Sequence, residues 1–469
     1  MKAIIPVFDE KSKQPYYLQL YVHIRNAILS GEIPSGEKLP SLRALARALK
    51  LSLTTISLAY EQLSVEGYIY SRAGSGYFVS DISYIRVPGG EASGLSGTDF
   101  PGSSLLEALP LHHYDLSCFD FNKWKKCLNK ILTEYPHLLL TESDPKGERA
   151  LRFEISKYLY RARGVTADPS QIVIGAGTQQ ITGQLSLLLT RMAINHVTVE
   201  DPCYLPIRNI FRDRGFNLSS VAVTKAGINI NKLPENIKSA VYVCPSNQFP
   251  TGAVMPISRR NELLLWAGRN GSIIIEDDYD SELRYFGKPI PALKGLDSGD
   301  RVVYLSSFSS TLFPSAKISY MVLPCEMAEI FESLRNDYTQ TCSKAEQLTL
   351  ALFMEHGYYQ TNIRKLRSLY SQKLQILTSC IHNYAHNFII PLNTSSGINM
   401  IINVNSKKDA ETLCREAESV NASVVPVSFY ATENSESSRA LIFYYNQIPL
   451  KLIDDTVKRL ADIWRGDSL

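Results

Sequence analysis

The chain has 469 residues, 45% hydrophobic and 20% charged, enough apolar material for about three folding units with buried cores. Its 49 Lys and Arg against 46 Asp and Glu leave a formal charge of only +3, so any nucleic-acid surface must be a local patch. These proportions exclude a disordered chain, a collagen-like repeat and a disulfide scaffold. The opening residues MKAIIP lack the apolar stretch and cleavage site of a secretory leader, and no run approaches the roughly 18 apolar residues of a membrane span. The eight cysteines are scattered without a CxxC pair, the pattern of free thiols in a reducing compartment. A cytoplasmic chain with no membrane attachment is expected.

The first elements form a small head. Residues 17–30, YLQLYVHIRNAILS, place Leu20, Ile24, Ala27 and Ile28 on one helical face. The turn GEIPSG ends this helix, and Ser41 is placed to cap a second that runs to about Leu49. A third spans about Thr54 to Glu66, with Ser52 as its cap and Gly67 as its stop. Two short helices joined by a turn are a helix-turn-helix, and YIYSRAGSGYFVS adds a hairpin with Gly74-Ser75-Gly76 at its tip.

The run LPSLRALARALKLSLTTISLAYEQLSVEGYIYSRAGSGYFV resembles the winged helix-turn-helix of GntR-family bacterial regulators, over nearly all of residues 14–80. The resemblance implies a double-stranded DNA operator as partner. It implies that the third helix enters the major groove with Thr54, Thr55 and Ser57, and that Arg43 holds a phosphate. Arg72, Arg47 and Lys50 would add backbone contacts. In residues 14–80 Arg25, Lys38, Arg43, Arg47, Lys50 and Arg72 oppose only Glu32, Glu37, Glu61 and Glu66. That surplus is small, and the arginine usual in the family is replaced by Leu53. A shallow salt dependence and modest affinity per half-site follow, so paired half-sites would need a homodimer.

Residues 87–104, VPGGEASGLSGTDFPGSS, are too poor in large apolar side chains to bury a core and read as a linker. Beyond it, strand candidates at 171–174, 197–200, 240–243, 272–275, 302–305 and 318–323 alternate with helical stretches at 179–193, 205–214 and 259–270. That alternation predicts an α/β body with a mostly parallel sheet covered on both faces and a site beyond the carboxyl ends of its strands. Helices near 344–356 and 358–386, followed by strands at 397–404, 424–427 and 440–445, predict a smaller C-terminal α+β domain.

Four motifs in the body are similar to those of fold-type-I, pyridoxal-phosphate-dependent aminotransferases. GAGTQQ (175–180) follows a strand and opens a helix, PSNQFPTG (245–252) is a loop, EDDYDSE (276–282) ends a strand, and YLSSFSSTLFP (304–314) completes the set. The resemblance implies Gly177, Thr178, Ser307 and Lys317 around the phosphate, and Asn247 or Gln248 near the ring oxygen. It places Asp277 on the pyridinium nitrogen, with Tyr279 and Tyr204 also at the cofactor. A winged helix joined to such a body is identified as a member of the MocR/GabR subfamily of GntR regulators. The implied domains are residues 10–80 for DNA binding, 81–109 as linker, 110–325 as the large domain and 326–469 as the small one.

Departures from the family's pattern gather in the site. The Schiff-base lysine is replaced by Ser310, and a serine cannot form an imine with an aldehyde. The phosphate arginine is Lys317, which keeps the charge without the bidentate fork. The substrate-carboxylate arginine falls on Ile442, with Arg439 three residues away, and the tyrosine expected from across a dimer falls on Glu142. A DNA-binding transcriptional regulator is therefore expected, with no catalytic residues and pyridoxal phosphate held non-covalently or replaced by another small-molecule effector. The alternative is a working aminotransferase with an accessory DNA-binding head, in which Lys317 takes the lysine's part. His382 and His386 are spaced like a helical metal pair but lack a third ligand, and Ser306–Ser310 contain no Gly-x-Ser-x-Gly elbow. Neither a metal centre nor a serine hydrolase is expected.

Overall fold

The computed structural model describes residue 8 and residues 14–81, 115–285, 291–392, 397–432 and 440–465. The linker stretch 87–104 and Arg439 lie outside the described residues. The chain divides into two units, Met1–Leu109 and Pro110–Leu469. No described helix is long and apolar enough to cross a membrane.

In the first unit, helices α1 (Tyr16–Leu29), α2 (Leu42–Leu49) and α3 (Leu53–Val65) precede a hairpin of β1 (Ile69–Arg72) and β2 (Gly76–Val79). Ser41 Oγ accepts from Ala44 N–H at 3.2 Å and Ser52 Oγ from Thr55 N–H at 3.1 Å, so each helix begins where its cap directs. Lys50 closes α2 in the left-handed region at φ 54° and turns the chain into α3. Leu20, Ile24, Leu45, Ile56, Tyr60, Leu63, Ile69 and Val79 form the core that holds helices and hairpin together. Leu39 N–H donates to Tyr77 O at 2.9 Å and Val79 N–H to Glu37 O at 3.0 Å, so residues 37–39 add a third line of pairing to the wing.

The second unit is built on β3 (Ile172–Gly175), β4 (His196–Asp201), β5 (Asn217–Thr224), β6 (Gly227–Ile228), β7 (Ala240–Val243), β8 (Ile273–Asp277), β9 (Val302–Ser307) and β10 (Ser319–Val322). They form one sheet in the order β3-β10-β9-β8-β7-β4-β5-β6. The neighbours from β9 through β5 are parallel, whereas β10 is antiparallel to both β3 and β9, and β6 to β5. The mostly parallel sheet read from the alternation is present. Strand β5 carries no clear apolar pattern because half of its residues NLSSVAVT are polar and only Val221 is buried. It is held by pairing with β4, and Ser219 Oγ meets His196 Nε2 at 2.9 Å and Thr198 Oγ1 at 2.8 Å.

Both faces of the sheet are buried. Val173, Val199, Tyr242 and Ile275 pack with Leu185 and Phe211 on one side. On the other, Ile172 and Ile174 meet Ile155 and Leu350, and Val241 and Ile274 meet Trp266. The smaller domain carries the antiparallel strands β11 (Ile389–Pro391), β12 (Met400–Val404), β13 (Val424–Pro426) and β14 (Ala440–Phe443), in the order β11-β12-β14-β13. Helices Tyr358–Ala385, Ala410–Ser419 and Ile453–Arg465 supply Leu377, Ala417 and Trp464 to its core. In that helix of 28 residues the fully buried Lys373 ammonium pairs with Asp115 at 2.8 Å and donates to Asn446 O at 2.8 Å, tying the start of the described body into this domain.

Candidate functional site

Parallel strands deliver their carboxyl ends to one edge of the sheet, and there β7, β8 and β9 border a cavity of about 510 Å³. Its first wall is the start of helix Thr178–Arg191. Gly177 stands before it at φ +88°, a conformation side chains rarely adopt, and no side chain caps the helix. The first N–H groups, at Thr178 and Gln179, are left at the positive end of the helix dipole beside the cavity. Lys317 and Ser307 line the same end, and Lys317 makes no ion pair among the described residues. Ser307 Oγ donates to Ser309 Oγ at 3.2 Å and accepts from Ser309 N–H at 3.2 Å. An uncapped helix start, an unpaired ammonium and hydroxyls make a cup for an anion.

The opposite charge lies at the end of β8. Asp277 is buried, accepts a hydrogen bond from Tyr242 OH and has no described cation beside it. Burial, with a smaller push from Asp278, raises its carboxyl from 3.8 to about 7, against the Tyr242 hydrogen bond, which lowers it. Glu200, at the end of β4, is likewise pushed up to about 8 by burial, although it accepts from Cys244 N–H at 3.1 Å. Asp278 is different. Arg163 grips it with Nε–Oδ2 at 2.8 Å and Nη2–Oδ1 at 3.0 Å, and Tyr304 OH donates to it at 2.6 Å.

Between these ends stand Tyr204, Phe249 and Tyr279. The Phe249 ring is edge-on to Tyr204 at 5.9 Å, to Tyr279 at 6.2 Å and to Tyr430 at 4.8 Å. Behind it Ile442, Ile401 and Val427 close an apolar cluster, so Ile442 is buried among hydrophobic groups. Ser310 lines the cavity too, and its hydroxyl donates to Tyr279 O at 2.8 Å.

Of the residues singled out from sequence, Gly177, Thr178, Tyr204, Asp277, Tyr279, Ser307, Ser310 and Lys317 all line this one cavity. Asn247 and Gln248, expected near a ring oxygen, are not among the residues that line this cavity. Asn247 Nδ2 donates to both oxygens of the buried Asp280, at 3.1 and 2.9 Å, because a buried carboxylate without a donor is costly. Gln248 Nε2 donates to Pro202 O at 2.8 Å and Phe249 O at 2.6 Å. The loop instead presents Phe249. Sequence reading also missed Tyr242, whose signal was a hydroxyl in the otherwise aliphatic strand AVYV, where it needs a buried partner. Glu142 is exposed.

In the head, Arg43 and Thr54 are exposed. Arg72 lies over the rings of Tyr70 at 5.7 Å and Phe78 at 5.2 Å. Thr55 and Ser57 are not free hydroxyls: Thr55 Oγ1 meets Ser52 Oγ at 2.7 Å, and Ser57 Oγ donates to Glu61 Oε1 at 3.0 Å.

Residues 16–79 match the gntR family of bacterial regulatory proteins, and residues 116–437 match aminotransferase class I and II. The chain is 35% identical over 469 residues to YdeL of Bacillus subtilis, an HTH-type transcriptional regulator, across 98% of this chain and 99% of that one. It is 31% identical over 378 residues to the HTH-type pyridoxine biosynthesis transcriptional regulator PdxR of Corynebacterium glutamicum, across 80% and 81% of the two chains. Among solved structures, a kynurenine aminotransferase of Pyrococcus horikoshii shares the fold of the body with a TM-score of 0.66, at 23% identity over 75% of this chain and 89% of that one.

Proposed function

The chain belongs to the family of HTH-type transcriptional regulators that join a gntR-type winged helix to an aminotransferase class I and II body, and from that membership we propose how its parts divide the work. The head binds an operator in double-stranded DNA in the cytoplasm. The body dimerises and senses a small molecule in the cavity, without transaminating it.

The observation that carries this reading is Ser310. By the family's motif it stands in the place of the lysine that holds the cofactor covalently, and it lines the cavity with Asp277 and Tyr279. Its hydroxyl can neither form an imine with an aldehyde nor shuttle protons as an amine does. Among the described lining residues the one lysine is Lys317, in the anion cup.

The fold family normally binds pyridoxal phosphate. The donor set here fits that group. When bound it supplies an aldehyde and an electron-withdrawing pyridine ring. Lys317, Ser307 and the helix start at Gly177–Thr178 would hold its phosphate. Asp277, buried and without a cation, would pair with a protonated ring nitrogen, while Tyr242 keeps the carboxylate oriented. Tyr204 and Phe249 would flank the ring. Nothing in this set moves a proton to carbon. Binding is therefore non-covalent, and it acts by favouring one arrangement of two DNA-binding heads through differential affinity.

The test is a pyridoxal-phosphate titration followed by absorbance, then borohydride reduction and intact mass. A saturable spectral change without covalent mass gain supports the reading. A reduced adduct mapping to Lys317, together with amino-donor turnover, refutes it in favour of a working aminotransferase. Absence of any spectral change refutes pyridoxal phosphate as the ligand. A monomer in light scattering at micromolar concentration refutes the dimer.

A further inference from the structure

We infer that α3 selects A·T-rich half-sites by packing Leu53 and Leu58 against thymine methyl groups, and not by hydrogen-bonding guanine. The inference rests on the operator-binding reading of the head.

The sequence of α3, LTTISLAYEQLSV, contains no arginine and no lysine. The commonest base-specific contact, a bidentate Arg or Lys on guanine O6 and N7, is unavailable to it. Asparagine, the usual reader of adenine, is absent as well. Gln62 lies towards the far end of the helix and donates to Glu66 at 3.2 Å. Hydroxyl readers are scarce because Thr55 is engaged with Ser52 and Ser57 with Glu61, which leaves Thr54.

Besides Thr54, what the first two turns of α3 offer to solvent is apolar. Leu53 is 48% exposed and Leu58 44%, whereas Ile56 and Leu63 are fully buried; the other exposed aliphatic group of α3, Val65, stands at its far end. Thr54 and Leu58 are four residues apart and share one face, with Leu53 beside them at the helix start. The head needs neither leucine for its own core. The exposed charge of the head specifies the occupant: Arg43 and Arg47 on α2, Lys50 in the turn before α3 and Arg72 on the wing, against Glu61 three residues beyond Leu58. Cations around an apolar tip suit phosphate backbones flanking a groove better than an apolar protein surface. In that groove the one apolar mark is the thymine C5-methyl, and side chains without polar atoms recognise it by contact.

The test begins with selection of binding sites from a random duplex library by the full-length protein. Single thymidines of the selected half-site are then replaced by deoxyuridine, which pairs identically but lacks the methyl. Affinity is read by fluorescence anisotropy at one fixed salt concentration. We expect A·T pairs where α3 docks and a loss of about fourfold per methyl removed, the worth of one buried carbon. Leu58→Ala should lose affinity for the thymine site and become insensitive to deoxyuridine at one position, and Leu53→Ala at another. Both remove exposed side chains, and unchanged thermal melting by circular dichroism verifies their fold. Arg43→Ala should weaken every duplex alike. Selection of G·C pairs under α3, or deoxyuridine tolerated throughout, overturns the inference while operator binding stands. Enrichment of no duplex at all overturns operator binding, and the inference with it.

Discussion

Replacing Asp277 by asparagine asks whether the cavity keeps a buried carboxylate for a cationic ligand. Asparagine has the same shape and can still accept from Tyr242 OH, so the substitution removes the charge and little else. Burial and the neighbouring Asp278 raise this carboxyl from 3.8 to about 7. That displacement corresponds to about 4 kcal/mol held against the ionised form in the folded state. Between about pH 4 and pH 7 the folded protein keeps a proton that the unfolded chain has released. Stability therefore falls as pH rises through that window and is level above it. The substituted amide does not titrate, so D277N should match its parent near pH 4 and exceed it by up to about 4 kcal/mol at pH 8.5. All three tryptophans, Trp124, Trp266 and Trp464, lie in the body, so urea unfolding followed by tryptophan fluorescence reads this unit alone. The measurement is made on ligand-free protein at pH 5 and pH 8.5. A variant less stable than its parent at pH 8.5, or a difference that does not change with pH, refutes the argument. Saturating pyridoxal phosphate should then stabilise the parent more than D277N, because a protonated ring nitrogen compensates only a carboxylate.

Three further outcomes follow from the geometry. Lys317→Gln should weaken pyridoxal phosphate binding by about 10- to 100-fold, the worth of a hydrogen bond to a charged group, and leave unphosphorylated pyridoxal unaffected in calorimetry. Arg163→Met strands Asp278 in a pocket it shares with Glu276 and Glu282, and should cost the body about 3–5 kcal/mol in urea unfolding. Adding Asp278→Asn to that variant should recover most of the loss, since the carboxylate that Arg163 gripped is then neutral. Ser52→Ala removes the cap of α3 and should cost about 1 kcal/mol, seen as faster hydrogen exchange of the α3 amides.

Local chemistry alone determined much of this protein. Ser41 and Ser52 announce two helix starts, Gly74-Ser75-Gly76 announces the wing, and both follow from groups a few residues apart. Apolar strands such as the one through Ile273, Ile274 and Ile275 are found because a strand buried on both faces reads as an unbroken aliphatic run. The serine at position 310 is likewise visible in one linear motif. Tertiary structure alone decided which side chains face the cavity. Asn247 and Phe249 sit in one loop, and nothing local says which of them turns inward. Asp280, 33 residues further on, needs a donor and takes Asn247, so Phe249 becomes the wall. Tyr242 meets Asp277 only because β7 and β8 lie side by side in the sheet. The half-polar strand β5 exists through pairing with β4, not through its own pattern. A buried polar group must find its partner across the fold, so its direction depends on residues far away in sequence.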